Sequence, residues 1–391
     1  MKSKNKTRNS KKALIKTPIV IGGIILIIAI ISVLIFLNKH SEELPKINTS
    51  QFKHSESFKK HIVVNGIDVS AIQGKNIDWN KVKSSGIDFV ILRAGYSDYD
   101  TGKFHKDIMF DKNSEDARKA GLMIGAYMFS QATSKEEAKD EAEFLVDIAN
   151  EHEIQLPLVM DYELVTGGRL EKALNEGTLD GKTSKIVDSF CSAVEDAGYD
   201  SMLYGNYNFL TKTLDINANS KRTNIWIAHY SSETDLEYPY LIWQSSDEGK
   251  INGIDGNTDM NFMYLKPSKH LRSHVPENSK RKSLKDAKIV FNKEDRIFRY
   301  LNKPIKPRVY VKYGIKRLRE GKDYDISYIK NSHEGTGYVV ITGKGKYKDS
   351  IFDDFIIKKW IWRLGFAWRL GFIWVQDKRT DSCVMQVPVL F

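Results

Sequence analysis

The segment "LPLVMDYELV", residues 156–165, ends an apolar run with two carboxylates, Asp161 and Glu163, separated by one tyrosine. In a strand, residues i and i+2 point to the same face, and two steps of about 3.3 Å put their Cα atoms roughly 6.6 Å apart. Both acids would then share one small volume. Like charges that close cannot both ionise cheaply, and the resulting split in pKa is what a general acid and its ionised companion need. Acid-X-acid also ends many solvated strands, so the tripeptide acquires meaning only from what else converges on it.

A pair of this kind needs a rigid frame, and the sequence from residue 62 onward supplies one. Seven short apolar runs, "HIVVNGIDVS", "IDFVILRAG", "LMIGAYMFS", "LPLVMDYE", "SMLYGNY", "TNIWIAHY" and "YLIWQSS", alternate with amphipathic stretches such as "SKEEAKDEAEFLVDIANEH" and "KTSKIVDSFCSAVEDAG". Continuous apolar strands interleaved with helices predict a parallel α/β sheet buried on both faces, and so many units within about 200 residues predict a closed barrel. Chemistry in such barrels gathers at the C-terminal ends of the strands. That address holds Asp68, Tyr127, Phe129, Asp161, Glu163, Tyr204, His229, Tyr230 and Gln244. Each alone is more often structural than catalytic; their shared position is the signal.

Charge is distributed by segment. Residues 1–37 hold seven Lys/Arg and no acid, residues 38–265 carry net −13, and residues 266–391 carry net +16. The first of these reads as a basic cytoplasmic tail (1–17) followed by an uncharged run from Pro18 to Leu37. Twenty helical residues span about 30 Å, the thickness of a bilayer core. The basic flank predicts an uncleaved single-pass anchor with the N-terminus inside and everything after it extracellular at the cell membrane. Residues 38–61 are polar and aperiodic, as expected of a juxtamembrane linker. Cys191 sits at a helical apolar spacing and Cys383 far from it, so neither a disulfide framework nor thiol catalysis is indicated. No HExxH or CxxC spacing occurs, and no metal, cofactor or nucleic acid is expected as a partner.

After residue 266 the composition changes to short β-rich runs with turn glycines, which predicts a small all-β, sandwich-like module over 283–358. "GTGYVVITGKGKY" lacks the GKS/GKT ending and following helix of a phosphate loop. The positive charge here suggests contact with anionic wall polymers or phosphate head groups. Residues 359–391 repeat "WRLGF" and form an aromatic tail without a clear strand or helix face.

The stretches "GIDVSAIQG", "GIDFVILRAGY", "GAYMFS", "VMDYE", "LYGN", "IWIAHY", "WQSSDEG" and "IDGNTDMN" resemble, in order, the glycoside hydrolase family 25 lysozymes. One departure is Met128 in "GAYMFS", where that family often carries histidine. The resemblance implies a TIM-like flattened β/α barrel over residues 62–266 that cleaves the β-1,4 bond between N-acetylmuramic acid and N-acetylglucosamine in peptidoglycan. It implies Glu163 as general acid, Asp161 as the group that orients the N-acetyl substituent and stabilises the developing cation, and Asp68 and Asp259 as the rest of an acidic floor. Tyr127, Tyr204, Tyr230, Trp243 and Gln244 become candidate sugar contacts. A catalytically silent peptidoglycan-binding protein on the same barrel is the competing expectation, and the presence of all four acids does not favour it. The β-module resembles repeats of bacterial surface proteins, which implies an exposed spacer or wall-binding unit.

Overall fold

Eight strands close on themselves in the computed structural model, which describes residues 46–179, 182–266, 270–271, 281–359, 373–376 and 383–386. Strand β1 (Ile62–Val69) leads through helix α1 (Trp79–Ser84) to β2 (Phe89–Ser97). A short β3 (Phe104–Lys106) folds back on β2 outside the ring, and α2 (Phe110–Ala120) returns the chain to β4 (Met123–Ser130). Helix α3 (Lys135–Asn150) precedes β5 (Leu158–Tyr162), and α4 (Arg169–Glu176) with α5 (Thr183–Asp196) precedes β6 (Ser201–Asn206). The short α6 (Ile216–Asn219), β7 (Asn224–Ala228), β8 (Ile242–Gly249) and β9 (Thr258–Leu265) complete the barrel.

The expectation of a wholly parallel barrel is corrected in one place. Strands β1, β2 and β4 to β8 pair in parallel, but β9 runs antiparallel to both β8 and β1 and seals the ring between them. A parallel return needs a crossover of a dozen or more residues. Only eight residues, 250–257, join β8 to β9, so a hairpin is the available connection. This strand was not among the seven apolar runs read from the sequence, because "TDMNFMYL" opens on polar residues.

Alternation along the strands sorts side chains into two layers. Val64, Phe89, Ile91, Met123, Val159, Met202, Trp226, Ile242 and Met263 fill the barrel interior. Their neighbours, among them Ile67, Leu92, Ile124, Met160, Leu203 and Ile227, face outward against Leu145, Ile186 and Phe190 of the helices. Gly66 is glycine for a steric reason: a Cβ there would lie 2.2 Å from the Phe89 ring that fills the interior beside it. Helix α3 starts where Ser134 Oγ accepts from the Glu137 amide, and it buries Ala138, Ala142, Leu145 and Ala149 at helical spacing.

The β-module is not a free spacer. Its larger sheet contains the antiparallel strands Tyr324–Ile329, Gly335–Gly343 and Ser350–Lys358. From one face of this sheet Ile329, Val340 and Phe352 enter the same buried cluster as the barrel interior, closing the end opposite the strand C-termini. The other face, through Val339, Ile341 and Phe355, packs on Ile289, Phe291 and Val311 of a second sheet built from Ala287–Phe291, Val309–Tyr313 and Lys316–Arg317. A polar seam fixes the junction. Lys83 Nζ is 2.8 Å from Asp88 Oδ1 and donates to the Tyr328 carbonyl at 2.6 Å, while the Lys330 amide donates to Asp88 Oδ1 at 2.9 Å. Ser332 Oγ donates to the Lys83 carbonyl, and Lys344 pairs with Glu153.

The linker expectation is corrected too. Within residues 46–61, Phe52 meets the Trp243 and Phe262 rings edge-on, and Phe58 stacks on Tyr264 with centroids 3.7 Å apart. The described part of this segment is therefore packed against the barrel. The basic tail and the apolar run 18–37 lie outside the described residues, as does most of the aromatic tail. Of that tail, Ile373–Gln376 and Cys383–Gln386 pair as antiparallel strands. Among the described residues no helix is long and apolar enough to cross a membrane.

Candidate active site

Asp161 is the last interior-facing residue of β5, buried at 8% exposure, and Glu163 follows just past the strand end. Tyr162 between them turns outward, where its hydroxyl donates to the Ala132 carbonyl at 2.8 Å. Alternation thus puts both acids on the mouth side, as the tripeptide spacing required. Asp68 ends β1, and because β9 is antiparallel its beginning, not its end, lies at the mouth, bringing Asp259 directly opposite Asp68. Four carboxyl groups from three strand ends share one pocket.

The electrostatics follow from that crowding. Burial raises Asp161 well above the ordinary carboxylate range, and the charges of Glu163 and Asp68 raise it further. Glu163 is raised by burial and then by Asp259. Asp259 is pushed up to about 8 by burial and by its carboxyl neighbour Asp68, with which it shares a hydrogen bond. Asp68 is raised by burial, an effect opposed by hydrogen bonds from Asn261 and Gln244. Carboxyls packed this way titrate as a set, and the site retains protons at neutral pH. The Oδ1 atom of Asp161 is buried without a hydrogen-bond partner, an acceptor left unsatisfied among the carboxyl groups.

Of the expected sugar contacts, Tyr230 is the exposed one, at 53%, and Tyr127 is half-buried with its ring edge-on to Trp226. Tyr204 is buried, and its hydroxyl donates to Gln244 Oε1 at 2.9 Å. Gln244 is a hub rather than a contact: Oε1 also accepts from the Tyr230 hydroxyl at 3.0 Å, and Nε2 donates to Asp68 Oδ1 at 2.9 Å. Trp243 is corrected outright. Consecutive strand residues face opposite sides, so with Gln244 inward Trp243 points outward; it is fully buried, and its Nε1 donates to the His229 carbonyl at 2.8 Å.

The interior tryptophan is Trp226, whose Nε1 donates to Asn261 Oδ1 at 2.8 Å while Asn261 Nδ2 donates to Asp68 Oδ1 at 2.7 Å. Asn261 was discoverable from sequence, standing two residues after Asp259 and hence on the same strand face. Arg93 had no such signal. It faces inward on β2, and its charge acts on Asp161 and Tyr127, but its Nε is held 2.8 Å from Asp107 Oδ2. No described cation neutralises the four acids by direct pairing.

An acidic mouth at the strand C-termini of a barrel is suited to general acid chemistry, as in glycosidic bond cleavage. Residues 67–254 match the model of glycosyl hydrolases family 25. The chain is 29% identical over 196 residues to the autolytic lysozyme of Clostridium acetobutylicum, covering 50% of this chain and 54% of that protein. It is 27% identical over 206 residues to lysozyme M1 of Streptomyces globisporus, covering 51% and 67%. It is similar to a solved family 25 glycosyl hydrolase from Bacillus anthracis, 22% identical with a TM-score of 0.44, covering 56% of this chain and 94% of that one. The chain thus spans about half the length of the first of these relatives.

Proposed function

We propose that the chain is a lysozyme that hydrolyses the β-1,4 bond between N-acetylmuramic acid and N-acetylglucosamine in peptidoglycan. The observation that carries this reading is the cluster of Asp68, Asp161, Glu163 and Asp259 in a barrel that matches the family 25 model, with the proton affinity of all four raised and one buried acceptor of Asp161 unpartnered. Glu163, whose proton affinity is raised by burial and by Asp259, donates its proton to the leaving glycosidic oxygen. Asp161 accepts from the acetamido N–H of the bound sugar, and the positive charge that develops at the anomeric carbon favours its ionised form. Asp68, fixed by Gln244 and Asn261, presents an oriented carboxyl beneath the sugar. Tyr230 and Tyr127 flank the pocket as ring surfaces for a saccharide. Turbidity loss of purified peptidoglycan, with mass analysis of the new reducing ends, tests the bond assigned; reducing N-acetylglucosamine ends would overturn it.

The apolar run 18–37 with its basic flank supports a single-pass anchor that places the barrel outside the cell membrane. Protease added to intact protoplasts should remove the barrel and leave a small membrane-held stub; a protected barrel would refute this topology.

A further inference from the structure

The outer sheet of the β-module carries an arrangement that the glycan chemistry does not use. Lys288, Lys312 and Arg317 lie in register across its three strands and are all exposed. Like charges directly opposite one another on a sheet are destabilising. No described acidic side chain forms an ion pair with any of the three. Tyr310 lies beside them, its ring 5.7 Å from Lys312 Nζ and 4.3 Å from the Arg317 guanidinium carbon.

At the tip of this hairpin the two-residue turn Gly314–Ile315 joins paired Tyr313 and Lys316. Gly314 adopts a φ of 59°, as so tight a turn demands. Ile315 is then presented to solvent at 105% exposure, the most exposed large apolar side chain among the described residues. An isoleucine at a rigid tip, with cations on either side of it, matches a bilayer interface, where the apolar group enters the acyl boundary and the cations meet phosphate. A hydrated anionic polymer would engage the cations and leave the isoleucine without a partner.

Position agrees with composition. The larger sheet packs on the barrel floor and the outer sheet packs on its far side, so the cationic face is the layer farthest from Asp161 and Glu163. The described chain begins at this same end: the Ile47 amide donates to the Ser85 carbonyl, beside Lys83, whose carbonyl accepts from Ser332 of the module. Eight residues, 38–45, lie between Leu37 and Lys46, and the nine Cα steps reach about 30 Å at most.

We infer that the face formed by Lys288, Tyr310, Lys312, Ile315 and Arg317 docks on an anionic lipid bilayer, standing the enzyme on the membrane with its acidic mouth turned toward the wall. The inference takes its proximity to lipid from the anchored topology proposed above. Each basic residue strengthens attachment to an anionic surface about fivefold, so the three together contribute roughly a hundredfold.

The test uses the full chain reconstituted in phosphatidylcholine vesicles with or without phosphatidylglycerol. In a Cys383→Ser background, Ile315→Cys is labelled with an environment-sensitive fluorophore; Cys191 is buried and stays unlabelled. The expected result is quenching by spin-labelled lipid in the anionic vesicles only, lost at high salt and lost in Lys288→Glu/Lys312→Glu/Arg317→Glu, with wall lysis unchanged in that variant. No quenching on anionic vesicles, or equal quenching on zwitterionic ones, overturns the inference. Displacement of the tip from the vesicles by soluble polyglycerol phosphate also overturns it, in favour of a wall-polymer site. Alkaline extraction of the same vesicles reads the anchor separately, so loss of the anchored topology and loss of docking are distinguishable.

Discussion

Asp161 at the mouth and Asp88 at the floor of the barrel are both deeply buried, at 8% and 1% exposure, yet they do opposite things. Asp88 lies 2.8 Å from the Lys83 ammonium and accepts a backbone amide from the module as well. Asp161 faces other carboxylates, its Oδ1 has no partner, and the inward cation Arg93 is already engaged by Asp107. Burial of a charge is costly in both places. At the floor the cost is offset by a partner and the acid becomes a structural joint. At the mouth it is left standing as raised proton affinity, available to a substrate. What separates a joint from a reaction site in this barrel is therefore the partner and not the depth.

The largest expected effect sharpens the mouth side of this contrast. Glu163→Gln keeps shape and hydrogen-bonding capacity but cannot donate the proton, so wall lysis should fall by about 10²–10⁴-fold or more with the melting temperature little changed. Near wild-type lysis would remove Glu163 from its role. On the floor side the order of effects reverses: Lys83→Met strands a buried carboxylate and should cost about 3–5 kcal/mol of stability, read by denaturant unfolding, while the kcat of the surviving folded enzyme stays close to wild type. The same reasoning warns that a chain ending at Leu265 would lose Ile329, Val340 and Phe352 from the barrel floor, so the module is part of the folded unit.

A pH series distinguishes the two regions further. Asp259 has its pKa at about 8, above the ordinary unfolded carboxylate value, so between those two values the folded state binds the extra proton. The stability it contributes is complete below the unfolded pKa and is lost as pH rises through about 8. Asp259→Asn should therefore melt closer to wild type in acid and progressively above it toward alkaline pH; parallel curves would mean that Asp259 carries no raised pKa. The smallest effect expected is for Trp243→Phe, which loses the bond to the His229 carbonyl, about 1 kcal/mol of stability, and leaves KM for wall fragments unchanged. A large KM change would restore Trp243 as a sugar contact.

Sequence alone determined the parts that depend on local periodicity. Apolar runs separated by amphipathic stretches gave the barrel, and the two-residue spacing of Asp161 and Glu163 placed both at one mouth, because strand alternation is a property of the backbone. It also read Asp68, Tyr127, Tyr204, Tyr230 and Gln244 as strand-end residues, but Tyr127 stands inside β4 and Gln244 near the start of β8. Applied strictly, the same alternation would have separated Trp243 from Gln244 and joined Asn261 to Asp259. Tertiary structure decided what depends on pairing across distance. The antiparallel β9 brings Asp259 opposite Asp68 from 191 residues away in sequence. Arg93 is held by Asp107, and Lys83 finds both Asp88 and a carbonyl 245 residues further on. Periodicity reports which face a side chain takes; it does not report which other segment that face will meet, and the charge partners that separate the mouth from the floor are set by those meetings.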